Sequence, residues 1–141
     1  MNQTYEFSPT VPRHEITLAY AHLSMRVQEG NTRGDGLPLP GVCFLGYELP
    51  LSHLETRMLK LLLLAVEGPA TGYGDKDGYI PSLALGEAGR LRTAMGVFGS
   101  HIPADQVAVH VMRINRKAKI IGGRRLILSH KGRGYRLNPY M

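Results

Sequence analysis

The segment that decides the fold contains a helical pattern followed by a hairpin pattern. It reads PADQVAVHVMRINRKA (103–118) and then, after residues 119–123, RRLILSHKGRGYRL (124–137). Pro103 suits the first turn of a helix, and the apolar residues after it recur at i, i+4, i+7 and i+11. The sequence therefore predicts a helix from residue 103 to residue 118 with one buried stripe, formed by Val107, Val111, Ile114 and Ala118.

The second part of this segment predicts a β-hairpin with a cationic turn. Two short strand-like runs, Arg124–Leu128 and Gly134–Leu137, flank the glycine-containing turn at residues 129–133. A helix followed by a basic hairpin is the element order of a winged helix. In that arrangement the hairpin supplies cations to DNA phosphates or to the minor groove.

The other side of the predicted helix is polar and suits a DNA groove. It consists of Gln106, Val109, His110, Arg113, Arg116 and Lys117. In the major groove a guanidinium can pair with guanine and an amide with adenine, and an apolar group can contact the thymine methyl. A solvated amphipathic helix would show the same pattern, so the helix alone leaves both interpretations open.

The N-terminal part predicts a small antiparallel sheet. Apolar residues alternate with polar ones, as in half-buried strands, at Ile16, Leu18 and Tyr20 and again at Leu23, Met25 and Val27. Gly30–Gly41 has the composition of a loop. Val42–Leu51 then predicts two more short strands, bent at Gly46 or Pro50.

Two further helices are predicted between this sheet and residue 103. Ser52 and Glu55 have the spacing of a capping box, so a nearly all-buried helix should begin there and end at Gly68–Pro69. After a loop and a short extended piece at Tyr79–Ile80, the second helix is predicted from Leu83 to Met95. Its apolar side would consist of Leu85, Ala88, Leu91 and Met95.

Composition and charge narrow the function classes. The 141 residues carry a net charge of +6, but the first 100 hold 8 basic and 10 acidic side chains, a net of −2. The last 41 hold 9 basic and 1 acidic, a net of +8, which favours a phosphate-binding surface there.

The single cysteine, Cys43, excludes an internal disulfide and is expected to be a small buried residue. The longest apolar run, Leu61–Val66, is too short for a membrane helix, so we expect a soluble, cytoplasmic, nucleoid-associated protein with no membrane partner.

Motifs of common enzyme and metal sites are absent from the sequence. The six histidines form no H-x-x-x-H pair, and there is no G-x-S-x-G, Walker or GxGxxG pattern. Asp75–Gly78 matches the start of a calcium loop, but the twelfth position is Gly86 instead of glutamate. We therefore expect neither an enzyme nor a bound cofactor or metal ion.

The stretches VAVHVMRINRK (107–117) and KGRGYRL (131–137) resemble the recognition helix and wing of OmpR/PhoB-type winged-helix transcription factors. That family's pattern is V-D-V-H-I-x-R-L-R-x-K followed by R-G-x-G-Y-R. Leu51-Ser52 with Glu55 resembles its opening L-T-x-x-E, and Val97-Phe98-Gly99 resembles the V-W-G at the close of its second helix. The resemblance is strong near the C-terminus, moderate over residues 42–68 and only architectural before them.

The resemblance implies a DNA-binding role for particular residues. Gln106, Val109, His110 and Arg113 match positions that face the major groove. Met112 and Asn115 match positions that often hold phosphate-binding arginines, and Lys131, with Arg133 beside it, matches the wing arginine of the minor groove. The full expected DNA-binding set is Gln106, Val109, His110, Met112, Arg113, Asn115, Arg116, Lys117, Lys131, Arg133 and Arg136.

The expected fold is therefore α+β: a winged helix-turn-helix with an N-terminal antiparallel β-platform, three helices and a C-terminal hairpin wing. Residues 1–41 would form an arm and the first strands, and 42–141 the winged-helix domain, the two together forming one continuous domain. The expected function is sequence-specific binding of double-stranded DNA by a transcriptional regulator that lacks the family's receiver domain. The alternatives are a protein-interaction winged helix and a non-specific architectural DNA-binding protein. RNA polymerase and a second copy of the chain are the further partners that the resemblance implies.

Overall fold

The structure is a computed structural model that describes residues 15–28, 41–67, 72, 74–93 and 96–140, with backbone alone at 15, 16, 27, 28, 91–93 and 96–98. Its elements in chain order are β1 (Glu15–Tyr20), β2 (Leu23–Gln28), β3 (Val42–Phe44), β4 (Tyr47–Glu48), α1 (His53–Ala65), α2 (Ser82–Leu85), a 3₁₀ turn (Gly86–Gly89), β5 (Leu91–Thr93), β6 (Gly96–Phe98), α3 (Ala104–Gly122), β7 (Ile127–His130) and β8 (Gly134–Leu137). The predicted α+β class is confirmed. The predicted N-terminal arm, the predicted loop up to residue 40 and the predicted end of the first helix at Gly68–Pro69 lie outside the described residues.

The N-terminal sheet has the strand order β1-β2-β3-β4, and every pair of neighbours is antiparallel. Strand β2 buries Leu23 and Met25 on the same face to which β3 contributes Val42 and Phe44. The chain turns from β3 into β4 at Leu45 and Gly46, and Gly46 has a φ of 82°, so the predicted bend is confirmed at this glycine. Cys43 is exposed, because strand alternation places it on the face opposite its buried neighbours, so the expectation of a buried thiol is wrong.

Helix α1 begins where the capping box predicts. The Ser52 hydroxyl accepts a hydrogen bond from the Glu55 N–H at 3.2 Å, and the Glu55 carboxylate accepts one from the Ser52 N–H at 3.3 Å. The apolar residues of α1 are buried on more than one side, since the helix contacts the N-terminal sheet, α2, α3 and β8. The buried apolar residues of this helix are Met58, Leu59, Leu62, Leu63 and Ala65.

The predicted second helix, Leu83–Met95, is wrong over most of its length. Only Ser82–Leu85 forms α2, and after the 3₁₀ turn the chain forms the antiparallel hairpin β5–β6. Glycine inside a helix destabilises the helix, and Gly86 and Gly89 both lie within the predicted span. The Gly86 carbonyl accepts a hydrogen bond from the Ile102 N–H at 3.0 Å instead of one from within a continued helix. A Cβ on Gly86 or Gly89 would collide with the main chain at residues 100–102. The segment Val97-Phe98-Gly99 therefore does not close a helix, and its likeness to the V-W-G of the family does not extend to structure.

Helix α3 confirms the predicted buried stripe. Pro103 is its N-cap, and Gly123, with a φ of 75°, ends it. The buried residues of α3 are Val107, Val111, Ile114 and Ala118, and they join one hydrophobic cluster with the sheet, α1 and the C-terminal hairpin. None of the described helices has the length and apolar character needed to cross a membrane.

The C-terminal hairpin β7–β8 is present, with a turn at residues 131–133. Its first strand begins at Ile127 and extends to His130, so the predicted span Arg124–Leu128 is shifted. The hairpin also pairs with residue Ile80: Ile80 N–H donates to Tyr135 O at 2.8 Å, and Tyr135 N–H donates to Ile80 O at 2.9 Å. This pairing attaches the hairpin to the chain between α1 and α2.

We expect Gly134→Ala to destabilise the protein more than Gly132→Ala. Both glycines have positive φ, 110° and 85°, so either substitution should cost about 1–2 kcal/mol in backbone strain. A Cβ on Gly134 would in addition collide with the Ile80 carbonyl and the Pro81 backbone, whereas one on Gly132 meets open space. Urea unfolding of the two variants measures the difference. Equal losses of unfolding free energy in the two variants would show that Gly134 is not packed against Ile80.

Candidate nucleic-acid interface

The outer face of α3, formed by Gln106, Val109, Met112, Arg113 and Arg116, is turned away from the core. Gln106, Met112, Arg113 and Arg116 are exposed, and Val109 is half-buried. Spacings of three and four residues make neighbours of these side chains along the helix surface. Asp105, the acidic residue of α3, lies in the first turn of the helix. Its negative charge there interacts favourably with the positive N-terminal end of the helix dipole.

Two residues predicted for the DNA face lie against α1 instead. Lys117 Nζ donates to Glu55 Oε1 at 2.8 Å, and His110 Nδ1 lies 3.4 Å from Glu55 Oε2. Glu55 is only 3% exposed. Burial raises the pKa of Glu55, but hydrogen bonds from Lys117, from the Ser52 N–H and from His110 outweigh it and hold the pKa below its ordinary value. The carboxylate thus stays charged and joins α1 to α3.

Asn115 joins α3 to the hairpin. Its side-chain oxygen accepts hydrogen bonds from Leu126 N–H at 3.0 Å and Ile127 N–H at 2.7 Å, and its amide donates to Ile127 O at 3.0 Å. These three bonds use the amide that the family resemblance assigned to phosphate contact. Asn115 therefore fixes the hairpin relative to the outer face of α3.

Arg133 is held by an acidic turn at residues 75–78. Its Nη2 lies 2.7 Å from both Asp75 Oδ2 and Asp77 Oδ2, and the guanidinium carbon lies 4.3 Å from the centre of the Tyr79 ring. Partial desolvation raises the pKa of Asp75, but hydrogen bonds from Arg133 and from the backbone N–H groups of Tyr79 and Asp77 lower it to about 2. The Arg133 guanidinium thus compensates the charge of both carboxylates. Within the described residues no group of three His, Cys, Asp or Glu side chains is arranged to hold a metal ion.

Arg136 extends this attachment to the first strand. Its Nη2 donates to the Tyr20 hydroxyl at 3.0 Å, its Nη1 to Asp77 O, and its Nε to Leu137 O at 3.0 Å. Sequence reasoning assigned Arg133 and Arg136 to DNA and missed the acidic turn as their partner. The signal for it was the pair Asp75 and Asp77, but only the pairing of Ile80 with the hairpin brings that pair within reach.

The predicted site residues therefore separate into two groups. Those whose side chains are open to a ligand are Gln106, Met112, Arg113, Arg116 and Lys131, with Val109 half-buried between them. Those whose side chains bind other parts of the chain are His110, Asn115, Lys117, Arg133 and Arg136. The structure brings the first group to α3 and the hairpin turn, and the second group positions these two elements.

The fold and this surface define a mixed α+β protein with a cationic helix face beside a C-terminal hairpin. No protein-family model matches the chain, and no curated protein matches it either.

We expect Asn115→Ala to destabilise the protein by about 1–3 kcal/mol, because two backbone N–H groups lose their acceptor. Arg116→Ala, one residue along and exposed, is the matched control and should change stability by no more than about 0.5 kcal/mol. Chemical unfolding checks both values. An Asn115→Ala variant as stable as the Arg116→Ala variant would contradict the assigned positioning role.

The attachment of Arg133 to Asp75 should weaken in acid. The pKa of Asp75 is about 2 in the folded protein and ~3.9 in an unfolded chain, so its stabilising effect is complete above the unfolded value. It is lost as the pH falls towards 2. The difference in unfolding free energy between wild type and Asp75→Asn should therefore be present at pH 6 and decrease steadily as the pH falls through the folded pKa of about 2. In an Arg133→Gln background the same difference should be smaller at pH 6; a difference independent of pH would contradict the ion pair.

Proposed function

We propose that the chain is a winged-helix transcriptional regulator that binds double-stranded DNA, with α3 in the major groove and the β7–β8 hairpin as its wing. The observation that carries the proposal is the outer face of α3. It presents two exposed guanidinium groups, Arg113 and Arg116, and lies beside a hairpin whose turn carries exposed Lys131. Such a protein would act at the nucleoid.

The exposed side chains supply the chemistry that duplex DNA requires. Arg113 and Arg116 can pair with guanine O6 and N7 or with phosphate, and Gln106 with adenine N6 and N7. Lys131, on the hairpin turn, is a point charge that suits a backbone phosphate. Phosphate contacts of this kind supply affinity, and base contacts supply specificity.

The internally bound residues support the proposal in another way. A reading surface must be held rigidly if it is to discriminate between bases. Glu55 fixes α3 against α1, Asn115 fixes the hairpin against α3, and Arg133 fixes the hairpin against the acidic turn. The angle between helix and hairpin is therefore set before DNA is bound.

Two variants separate the proposed roles. Arg113→Ala should reduce discrimination at one base position by about 1–3 kcal/mol, while Lys131→Ala should weaken binding to all sequences and reduce the salt slope by about 1. Arg90→Ala, which removes a cation outside α3 and the hairpin, is the charge-matched control. The measurement is binding to a site selected from a random duplex pool and to unrelated duplexes over a range of salt concentrations. Unchanged affinity of Arg113→Ala for the selected site would show that the outer face of α3 does not read bases.

A second candidate is a winged helix that binds an acidic protein. It is favoured by the apolar side chain of Ile120, which is 82% exposed on the same helix as Arg113 and Arg116, because protein interfaces cover such side chains. Absence of salt-dependent binding to random duplexes at low ionic strength would favour this candidate. Binding without any enriched sequence would instead favour an architectural DNA-binding protein. A homodimer on repeated half-sites and a contact with RNA polymerase remain predictions of the family resemblance.

A further inference from the structure

An apolar side chain interrupts the cationic outer face of α3. Met112 is 52% exposed, although methionine is usually buried. Arg113 follows it in the same turn, and Arg116 lies one turn further along the helix. Val109, three residues earlier and half-buried, continues the apolar strip. The outer face therefore combines an apolar strip with two guanidinium groups within about two turns of helix.

The surrounding charges indicate the kind of occupant that covers this strip. Glu55 lies against Lys117 and His110 on another side of α3, and Asp105 lies seven residues before Met112, about two turns away. The cations next to Met112 are exposed, so an occupant with hydrogen-bond acceptors beside an apolar group would match this face. In the DNA major groove, the apolar group on a base edge is the C5-methyl of thymine.

We propose that Met112, together with Val109, reads the C5-methyl group of a pyrimidine next to a guanine that is bound by Arg113 or Arg116. This inference rests on the proposed function and specifies what the same surface recognises. The methyl group belongs either to thymine or to 5-methylcytosine, because both bases present it at the same place in the groove. The affinity of the protein therefore depends on the methyl group itself and not only on the hydrogen-bonding pattern of the base.

The expected size of this effect follows from the burial of a single methyl group. Covering one methyl changes the affinity about fourfold. This is smaller than the effect expected for a bidentate arginine–guanine pair, which ranges from about 5-fold to about 150-fold. The methyl contact is thus measurable apart from the guanine contact at the neighbouring base pair.

The test uses the full chain and a duplex site selected from a random pool. Each thymine of the site is replaced in turn by uracil, which removes only the methyl group. Wild type should lose affinity about fourfold at one or two positions. At such a position, a cytosine–guanine pair should bind better when the cytosine is 5-methylated. This second pair of duplexes separates the two sources of the methyl group.

Substitutions then assign the contact to residues. Met112→Ala or Val109→Ala should bind the thymine and uracil duplexes equally at one sensitive position. Leu83→Ala is the matched control, because Leu83 is an apolar residue of α2 that is 74% exposed and lies outside α3, and this variant should keep the difference. Thermal denaturation verifies that each variant is folded.

Two results overturn the inference while the proposed function stands. One is a selected site at which uracil replaces every thymine without loss of affinity. The other is a thymine–uracil difference that persists in both Met112→Ala and Val109→Ala, or disappears equally in Leu83→Ala. Absence of any sequence preference is a different result, since it overturns the proposed function and this inference with it.

Discussion

The buried carboxylate of Glu55 is the interaction on which the arrangement of the helices depends. It caps the first turn of α1 and at the same time binds Lys117 and His110 of α3. A carboxylate this buried is stable only if its charge is compensated, because desolvation of an unpaired charge is costly. The same contact that begins α1 therefore fixes the rotation of α3 about its axis. That rotation decides which side of α3 remains outside.

The acidic turn at residues 75–78 fixes the position of the hairpin, as Glu55 fixes that of α3. Asp75 and Asp77 bind Arg133, and the backbone of Asp77 binds Arg136, so the most basic part of the chain is partly compensated from within. With Glu55, three carboxylates that lie before residue 101 in the sequence pack against the segment that follows it. The sequence charge of that segment, taken alone, overestimates the charge that an external partner meets.

Sequence reasoning succeeded wherever the structure depends on near neighbours. The capping box of Ser52 and Glu55, the strand alternation of β2 and β3 and the stripe of α3 are local patterns, and all are confirmed. It failed at the second helix, where Leu85, Ala88, Leu91 and Met95 have helical spacing but two glycines are pressed against residues 100–102. Tertiary contact there overrides the local pattern.

In the candidate site, too, features that depend on near neighbours were predictable and features that depend on long-range contacts were not. Exposure of Arg113 and Arg116 follows from the helix period, opposite the buried stripe. The partners of Lys117, Arg133 and Arg136 lie 62, 58 and 116 residues away in the sequence, at Glu55, Asp75 and Tyr20. No periodicity carries that information, because it depends on how the sheet, α1 and the hairpin meet. Basic residues that belong to the recognition pattern and basic residues that build its support look alike in sequence.

The split between internally bound and exposed basic residues affects the energetics of the proposed complex. Each phosphate neutralised by a cation contributes about 0.9 to the slope of log affinity against log salt concentration on duplex DNA. Since Lys117 and Arg133 are bound internally, and either Arg113 or Arg116 is proposed to bind a guanine, fewer of the expected site residues remain for phosphates. Non-specific affinity should then be low, and binding should depend on base contacts and on the fixed angle between α3 and the hairpin. Under the proposed function, the internal ion pairs lower affinity for arbitrary DNA and so raise the ratio of specific to non-specific binding.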